Sequence, residues 1–310
     1  MTVDVIILTY QPDQKFLAAL EAFNSQTQKP GRIIIVNTGP QYFEELIPEA
    51  EFLKKNNTGV IFHIEEKDFD HGKTRNFAVS HVRAESFLMM TQDAIPADAC
   101  LIENLVHALK SENIAVAYAR QLPTEKSDEL ECFTRRFNYG PDPLEKSKAD
   151  VARLGIKTYF CSNVCALYRT EIFRELGGFA PKTIFNEDMI YAKKAADAGY
   201  IIRYEPKAMV YHAHHYTYRQ QMKRNFDLGV SHAEFPDVFA GLKTESEGLK
   251  MIRLASLHLL KKGKPWLIIK LLCQSMAKYV GFRRGLRFRS LKRGRVLKYT
   301  NNRWYFNETK

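Results

Sequence analysis

Four stretches of this 310-residue chain carry residue types at spacings that could do chemistry. In "MTQDAIPAD", Asp93 ends the apolar run Phe87-Leu88-Met89-Met90, just before a proline stops the strand. A carboxylate there either caps a strand or gives an oxygen to Mg²⁺ or Mn²⁺, cations that draw further ligands from substrate phosphates. "YHAHHY" sets His212 and His214 two residues apart, on one face of a strand, as structural side chains or as imidazole ligands. "NEDM" puts Glu187 and Asp188 at a helix start, where acids complement the dipole or where an ionised carboxylate can act as a general base. "FDHGKTRN" opens another helix; Gly72 admits a close ligand, and Lys73 and Arg75 add cations to an end that favours anions. That end is either simply solvated or a diphosphate site.

Such residues need elements to hold them. "VDVIILTY", "GRIIIVNTG", "TGVIFHIEE" and "AESFLMMTQD" are apolar, β-branched runs of strand length, separated by helix-like segments at Lys15–Gln26, Tyr42–Asn56 and Lys73–Val82. Strands apolar on both faces and alternating with helices imply an α/β fold, a mostly parallel sheet covered on both sides. Ligands of such folds bind beyond the carboxyl ends of the strands. The unusual residues fall there: Thr9 and Tyr10, Asn37 to Gly39, Asp68 to Asn76, and Gln92 with Asp93. Further on come a helix at Ala99–Lys110, a strand "IAVAYARQ", and a polar, proline-punctuated stretch over 123–152 that reads as a long loop or lid. "TYFCSNVCALYRTEIFRELGGF" reads as strand, helix and Gly-Gly cap, "NEDMIYAKKAADAG" as a helix, and "YIIRYEPKAMVYHAHHY" as strand. Beyond residue 217 the pattern is helical and basic.

The sequence has no GxGxxG after its first strand, no GxxxxGK[ST] and no GxSxG, which leaves dinucleotide, P-loop and serine-hydrolase sites unsupported. Five cysteines without CxxC spacing read as free thiols of a reducing, cytosolic compartment, with Cys161 and Cys165 as buried small hydrophobes rather than zinc ligands.

Taken together, the motifs resemble the family 2 glycosyltransferases, inverting nucleotide-sugar-dependent enzymes of GT-A fold. The likeness runs in order through "VDVIILTYQP", "IIIVNTG", "FDHGKTRN", "MTQDAIP", "CSNVCALYRTEIFRELGGF", "NEDMIYAKKAADAG" and "PKAMVYHAHH", over about residues 3–217. "FDHGKTRN" with "MTQDAIP" is most similar to bacterial rhamnosyltransferases of O-antigen, capsule or cell-wall rhamnan synthesis. The resemblance implies a domain at 1–217 and a separate helical, basic region at 218–310. It implies that Thr9, Tyr10, Asn37, Asp68, Arg75, Gln92 and Asp93 bind the nucleotide sugar. Asn37 stands where the family has a base-reading Asp, and Thr91 where it has the first Asp of DxD. Asp93 with His212 or His214 would hold Mn²⁺ or Mg²⁺, Asp188 would be the catalytic base, and Asn163 and Glu187 would lie on the acceptor side. The donor expected is dTDP-rhamnose or another dTDP- or UDP-sugar, and the acceptor a saccharide linked to polyprenyl diphosphate. A hexosyltransferase using a UDP-sugar and an inactive scaffold are the alternatives.

The net charge of +11 is uneven. Residues 250–310 hold 17 Lys and Arg against one acid, Glu308, a net +16 that leaves −5 for the rest. Such an end calls for an anionic partner. Its mixed apolar and basic composition, without an 18-residue apolar run, fits amphipathic helices on an anionic membrane, and the resemblance, through polyprenyl-diphosphate-linked acceptors, implies a peripheral place at the inner face of the cell membrane. A homo-oligomer interface is the other use of such helices; no nucleic-acid-binding motif accompanies the charge.

Overall fold

The computed structural model describes residues 1–55, 59–214, 216–242 and 245–307. Its strands are β1 (Val3–Tyr10), β2 (Arg32–Thr38), β3 (Val60–Ile64), β4 (Ser86–Thr91), β5 (Ile95–Pro96), β6 (Ile114–Leu122), β7 (Leu144–Lys146), β8 (Cys165–Arg169) and β9 (Ile201–Tyr211). Its helices are α1 (Gln14–Asn24), α2 (Pro40–Leu46), α3 (Glu49–Lys55), α4 (His71–Ser80), α5 (Leu101–Ala108), α6 (Glu129–Asn138), α7 (Val151–Leu154), α8 (Thr170–Glu175) and α9 (Glu187–Asp197), then α10 (Tyr218–Glu234), α11 (Pro236–Phe239), α12 (Glu245–Lys261), α13 (Trp266–Leu286) and α14 (Arg293–Tyr299).

One sheet runs in the order β3-β2-β1-β4-β8-β6-β9-β5, with β7 on β9. The strands from β3 to β4 are parallel, and β6 pairs β9 in parallel. Between them β8 lies antiparallel to both β4 and β6. Apolar runs report burial on both faces, not direction, which is why the sequence could not show this reversal. Alternate residues of β1 feed two cores. Val3, Val5 and Ile7 face Phe16, Phe43, Phe52 and Leu105, while Ile6 faces the layer holding Val79, Phe173 and Tyr191.

The helix expected over Tyr42–Asn56 is broken: α2 ends at Leu46, Ile47 is extended, and α3 starts after Pro48. Proline disfavours helical geometry in the residue before it and donates no hydrogen bond. Asn56 lies outside the described residues. The 123–152 stretch holds more than a loop, for α6 and β7 are built within it. Asp128 caps α6 by accepting from the Glu131 amide at 2.9 Å, and Leu130 packs on Ala255, Leu259 and Leu271 of α12 and α13.

Two close approaches require glycine. A Cβ on Gly72 would lie 1.9 Å from the Ala180 carbonyl oxygen, so the start of α4 abuts the loop leading to α9. On α10 and α13, Cβ atoms at Gly229, Gly281 and Gly285 would fall within 2.1–2.3 Å of the facing backbone. The two helices thus touch backbone to backbone. The basic region is fastened to the rest of the chain rather than trailing from it: Phe306, Val296, Phe226 and Val230 share a cluster with Ile184. The five cysteines are free, with Cys161 and Cys165 buried.

Candidate active site

Strand tips bring the residues together. Asp93 follows β4, and His212 and His214 follow β9. The His212 Nε2 lies 3.5 Å and the His214 Nε2 3.2 Å from the two Asp93 carboxylate oxygens, and one ligand atom from each residue falls within 4.8 Å of the others. The His212 Nδ1 faces the Gln121 Oε1 at 2.9 Å; an N–H on that nitrogen leaves the Nε2 lone pair toward Asp93. Burial pushes both imidazoles down, His214 to about 4, so both are neutral at pH 7. Burial alone would raise the Asp93 carboxyl, but in acid, where the imidazoles take up protons, His212, His214 and the Thr91 hydroxyl hold it well below the usual range. An ionised carboxylate and two neutral imidazoles converging on one point are a donor set for a divalent cation, and His215 lies outside the described residues.

The second cluster sits at the start of α9. Asn186 precedes it at φ 64°, a left-handed conformation that few residues other than Gly and Asn adopt. The buried Glu187 pairs with the Arg75 Nε at 3.1 Å and accepts from the Asn163 amide at 2.9 Å. Burial works to raise Glu187, yet the charge of Arg75 holds it ionised. Burial drives His71 down to about 4, so its 3.8 Å approach to Glu187 is not an ion pair. Asp188 is the reverse case. Burial, then the adjacent Glu187 charge, pushes its carboxyl up to about 7, although the Asn163 and Met189 amides donate to it at 3.1 and 2.8 Å. The two neighbouring carboxylates thus have opposed environments, one a fixed charge and the other a group able to take up a proton near neutrality.

Three consecutive residues join the clusters. The Ser162 hydroxyl accepts from Gln121, Asn163 holds Glu187 and Asp188, and the Val164 carbonyl accepts from the Thr91 amide at 3.2 Å. The Tyr168 hydroxyl locks the Asn163 side chain at 2.7 Å. Asn163 therefore braces the two carboxylates.

Other expected residues are placed differently. Asn37 is 0% exposed; it accepts from Thr9 at 2.9 Å and its amide faces the Gly39 carbonyl and His63. In this arrangement the Asn37 side chain is engaged by Thr9, Gly39 and His63. Gln92 uses both ends of its amide on the Tyr10 backbone, at 2.8 and 2.9 Å, and so positions Tyr10. Asp68 is exposed on a 3₁₀ turn, Glu66–Asp68, while the neighbouring Asp70 caps α4 and accepts from the Thr183 amide. Arg75 is committed to Glu187 and to the His71 carbonyl.

Two cavities flank these clusters. One of about 300 Å³ lies at the carboxyl ends of β1 and β2, with Tyr10, Thr38, Glu66, Phe69 and His71 on one side. Its other side is Asn301–Tyr305, from the far end of the chain. A second of about 600 Å³ opens beside His212 and His214 and includes Gln121, Arg135, Ser162 and Arg224. Of these, Gln121, Ser162, Arg224, Glu66 and the 301–305 segment carry no signal in the sequence beyond their type.

Residues 4–177 match the family model described as Glycosyl transferase family 2. The chain belongs to that family. Two relatives of this glycosyltransferase are described as O-antigen chain rhamnosyltransferases. RfbN of Salmonella typhimurium is 38% identical over 99% of this chain and 96% of its own length. WbaN of Salmonella anatum is 35% identical over 92% and 89%. Among solved structures, the glycosyltransferase is similar to the mannosyltransferase PcManGT from Pyrobaculum calidifontis, in complex with GDP-Man and Mn²⁺, with a TM-score of 0.55 at 16% identity over 98% of this chain and 84% of that one. It is also similar to S. aureus TarS 1-349, with a TM-score of 0.53 at 14% identity over 98% and 89%. The fold is of GT-A type, with additional C-terminal helices.

Proposed function

We propose that this glycosyltransferase transfers rhamnose from dTDP-rhamnose, with inversion, to a polyprenyl-diphosphate-linked oligosaccharide in bacterial surface polysaccharide synthesis. The observation that carries the reading is the 38% identity with a rhamnosyltransferase along nearly the whole of both chains. The site supports it.

The cavity at the β1 and β2 ends takes the nucleoside, as expected of the carboxyl edge of a parallel sheet. Asp93, His212 and His214 would hold Mn²⁺ or Mg²⁺, which would supply positive charge against that gathering on the departing diphosphate. The larger cavity beside the histidines takes the acceptor. Asp188 removes the proton of the acceptor hydroxyl; its oxygen bonds to the anomeric carbon as the bond from that carbon to the diphosphate breaks, with charge distributed as in an oxocarbenium ion. Glu187 stays ionised against Arg75, keeping the Asp188 carboxyl raised and α9 in place.

A donor panel tests this. Purified protein with acceptor, Mn²⁺ or Mg²⁺, and dTDP-rhamnose, UDP-hexoses or GDP-mannose should release nucleoside diphosphate with dTDP-rhamnose above all. Preference for a UDP-hexose would replace the donor assignment, and release from none would reject the enzyme in favour of a scaffold.

Membrane association at the inner leaflet is part of the same reading. On α13, Trp266, Ile269, Leu272, Met276 and Tyr279 are exposed at three- and four-residue intervals, a single apolar stripe, with Leu257 and Leu260 of α12 exposed as well. No helix among the described residues is long and apolar enough to cross a membrane. An exposed apolar stripe amid basic residues suits an interfacial helix, each Lys or Arg near anionic lipid adding about 1 kcal/mol. Co-sedimentation with vesicles containing phosphatidylglycerol should exceed that with neutral vesicles and fall when Ile269, Leu272 and Met276 become Ser. Equal recovery with both vesicle types would rule this out.

A further inference from the structure

We infer that the segment Thr300–Phe306, from the far end of the chain, is a built wall of the nucleoside pocket, with the Trp304 ring as the surface on which the donor's base stacks. The inference rests on the donor reading above and names residues that no motif of the family region contains.

The segment is pinned. The buried Asp227 on α10 accepts from the Thr300 hydroxyl at 2.6 Å and from the Asn301 amide at 3.0 Å. The Asn302 amide donates to the Thr300 hydroxyl at 2.8 Å, and the Lys223 ammonium donates to the Thr300 carbonyl at 3.2 Å. The Tyr305 hydroxyl donates to Glu234 at 2.6 Å, and Phe306 is buried with Ile184 and Phe226. A buried carboxylate is costly unless hydrogen-bonded, and Asp227 spends its bonds on holding this one segment.

What the pins leave free is Trp304. It is 48% exposed between held neighbours, Asn302 before it and Tyr305 after it, and it borders the 300 Å³ cavity that Tyr10 and Phe69 border from the sheet side. Arg303 lies beside it, with no carboxylate partner among the described residues. An aromatic-lined slot with a cation at its lip suits a nucleoside diphosphate, since every base has a face that stacks and the phosphates need a counter-charge. Aromatic stacking contributes about tenfold or more to affinity per base.

Trp266 and Trp304 are the only tryptophans in the sequence, so Trp266→Phe makes Trp304 the sole indole reporter. Titrating this full-length variant with dTDP, UDP or GDP should quench its fluorescence. By calorimetry, Trp304→Ala should bind the preferred nucleoside diphosphate about tenfold more weakly, Trp304→Phe should retain most of the affinity, and the acceptor KM should stay unchanged. A Trp304 signal that nucleotides leave unmoved while calorimetry still shows binding would overturn the inference, as would a signal moved only by acceptor. If wild-type protein binds none of the three nucleotides, the donor reading has failed, and the wall falls with it. If it binds them and Trp304→Ala binds equally well, only the wall is lost.

Discussion

Asp188→Asn should lower sugar transfer by about 10²–10⁴-fold, the range a positioned general base contributes, with donor binding retained. The substitution keeps the size of the side chain, but the Asn163 and Met189 amides donate to different carboxylate oxygens, and an Asn keeps an acceptor for only one of them. It removes the capacity to take a proton, together with one hydrogen-bond acceptor. Because burial and the Glu187 charge push Asp188 up to about 7, the wild-type rate should rise with pH through that value: below it the carboxyl is protonated and cannot accept, above it the base is free. The stability sign is opposite. A carboxyl raised in the folded state favours folding at low pH, and that advantage is lost as pH climbs from the ordinary Asp value through about 7. Asp188→Asn should therefore lose less of its melting temperature than wild type between pH 5.5 and pH 8. Initial rates from pH 5.5 to 9, with thermal melts on the same samples, check both; a variant within tenfold of wild type would remove Asp188 from its role.

Asp93→Ala should abolish the response to added Mn²⁺ or Mg²⁺ and cut transfer by about a hundredfold or more, because changing even an outer partner of a metal ligand costs about 10–100-fold. Among the described residues Asp93 is the only carboxylate of its cluster, and the position of the usual first Asp is Thr91. His212 and His214 must then supply the other protein ligands, and neutral imidazoles alone leave the cation's charge unbalanced. EDTA should silence the wild type, with activity returning on excess Mn²⁺. Direct Mn²⁺ binding, read by electron paramagnetic resonance, should be weaker in the variant. Transfer that ignores EDTA, or Mn²⁺ bound equally by Asp93→Ala, would dismiss this site as a metal centre.

Much of the site was legible in the residues, but not always in the role assigned. Asp93, His212 and His214 read as ligands because strand ends in α/β sheets deliver side chains to one edge, and two-residue spacing puts both imidazoles on one face. The structure brings these three together. Asn37, Thr9 and Gln92 stand at equally suggestive strand ends, yet each spends its hydrogen-bonding groups on a neighbour. Strand-end position says where a residue is, not what it is bonded to. The break at Pro48 and the Asp128 cap of α6 were written locally, in a proline and an Asx residue, whereas the reversed direction of β8 was not.

By itself the sequence determined the α/β alternation, the family, and the unequal charge of its two parts, because period, motif order and composition are properties of neighbours along a chain. Only the tertiary structure decided how the opposed Glu187 and Asp188 carboxyls differ, since burial, Arg75 and the Asn163 brace come from segments distant in sequence. It decided, too, that Thr300–Phe306 lies over the ends of β1 and β2. A basic composition can announce a membrane surface, but it cannot say that backbone contact at Gly229, Gly281 and Gly285 and one buried carboxylate, Asp227, carry the end of the chain back to the edge of the sheet.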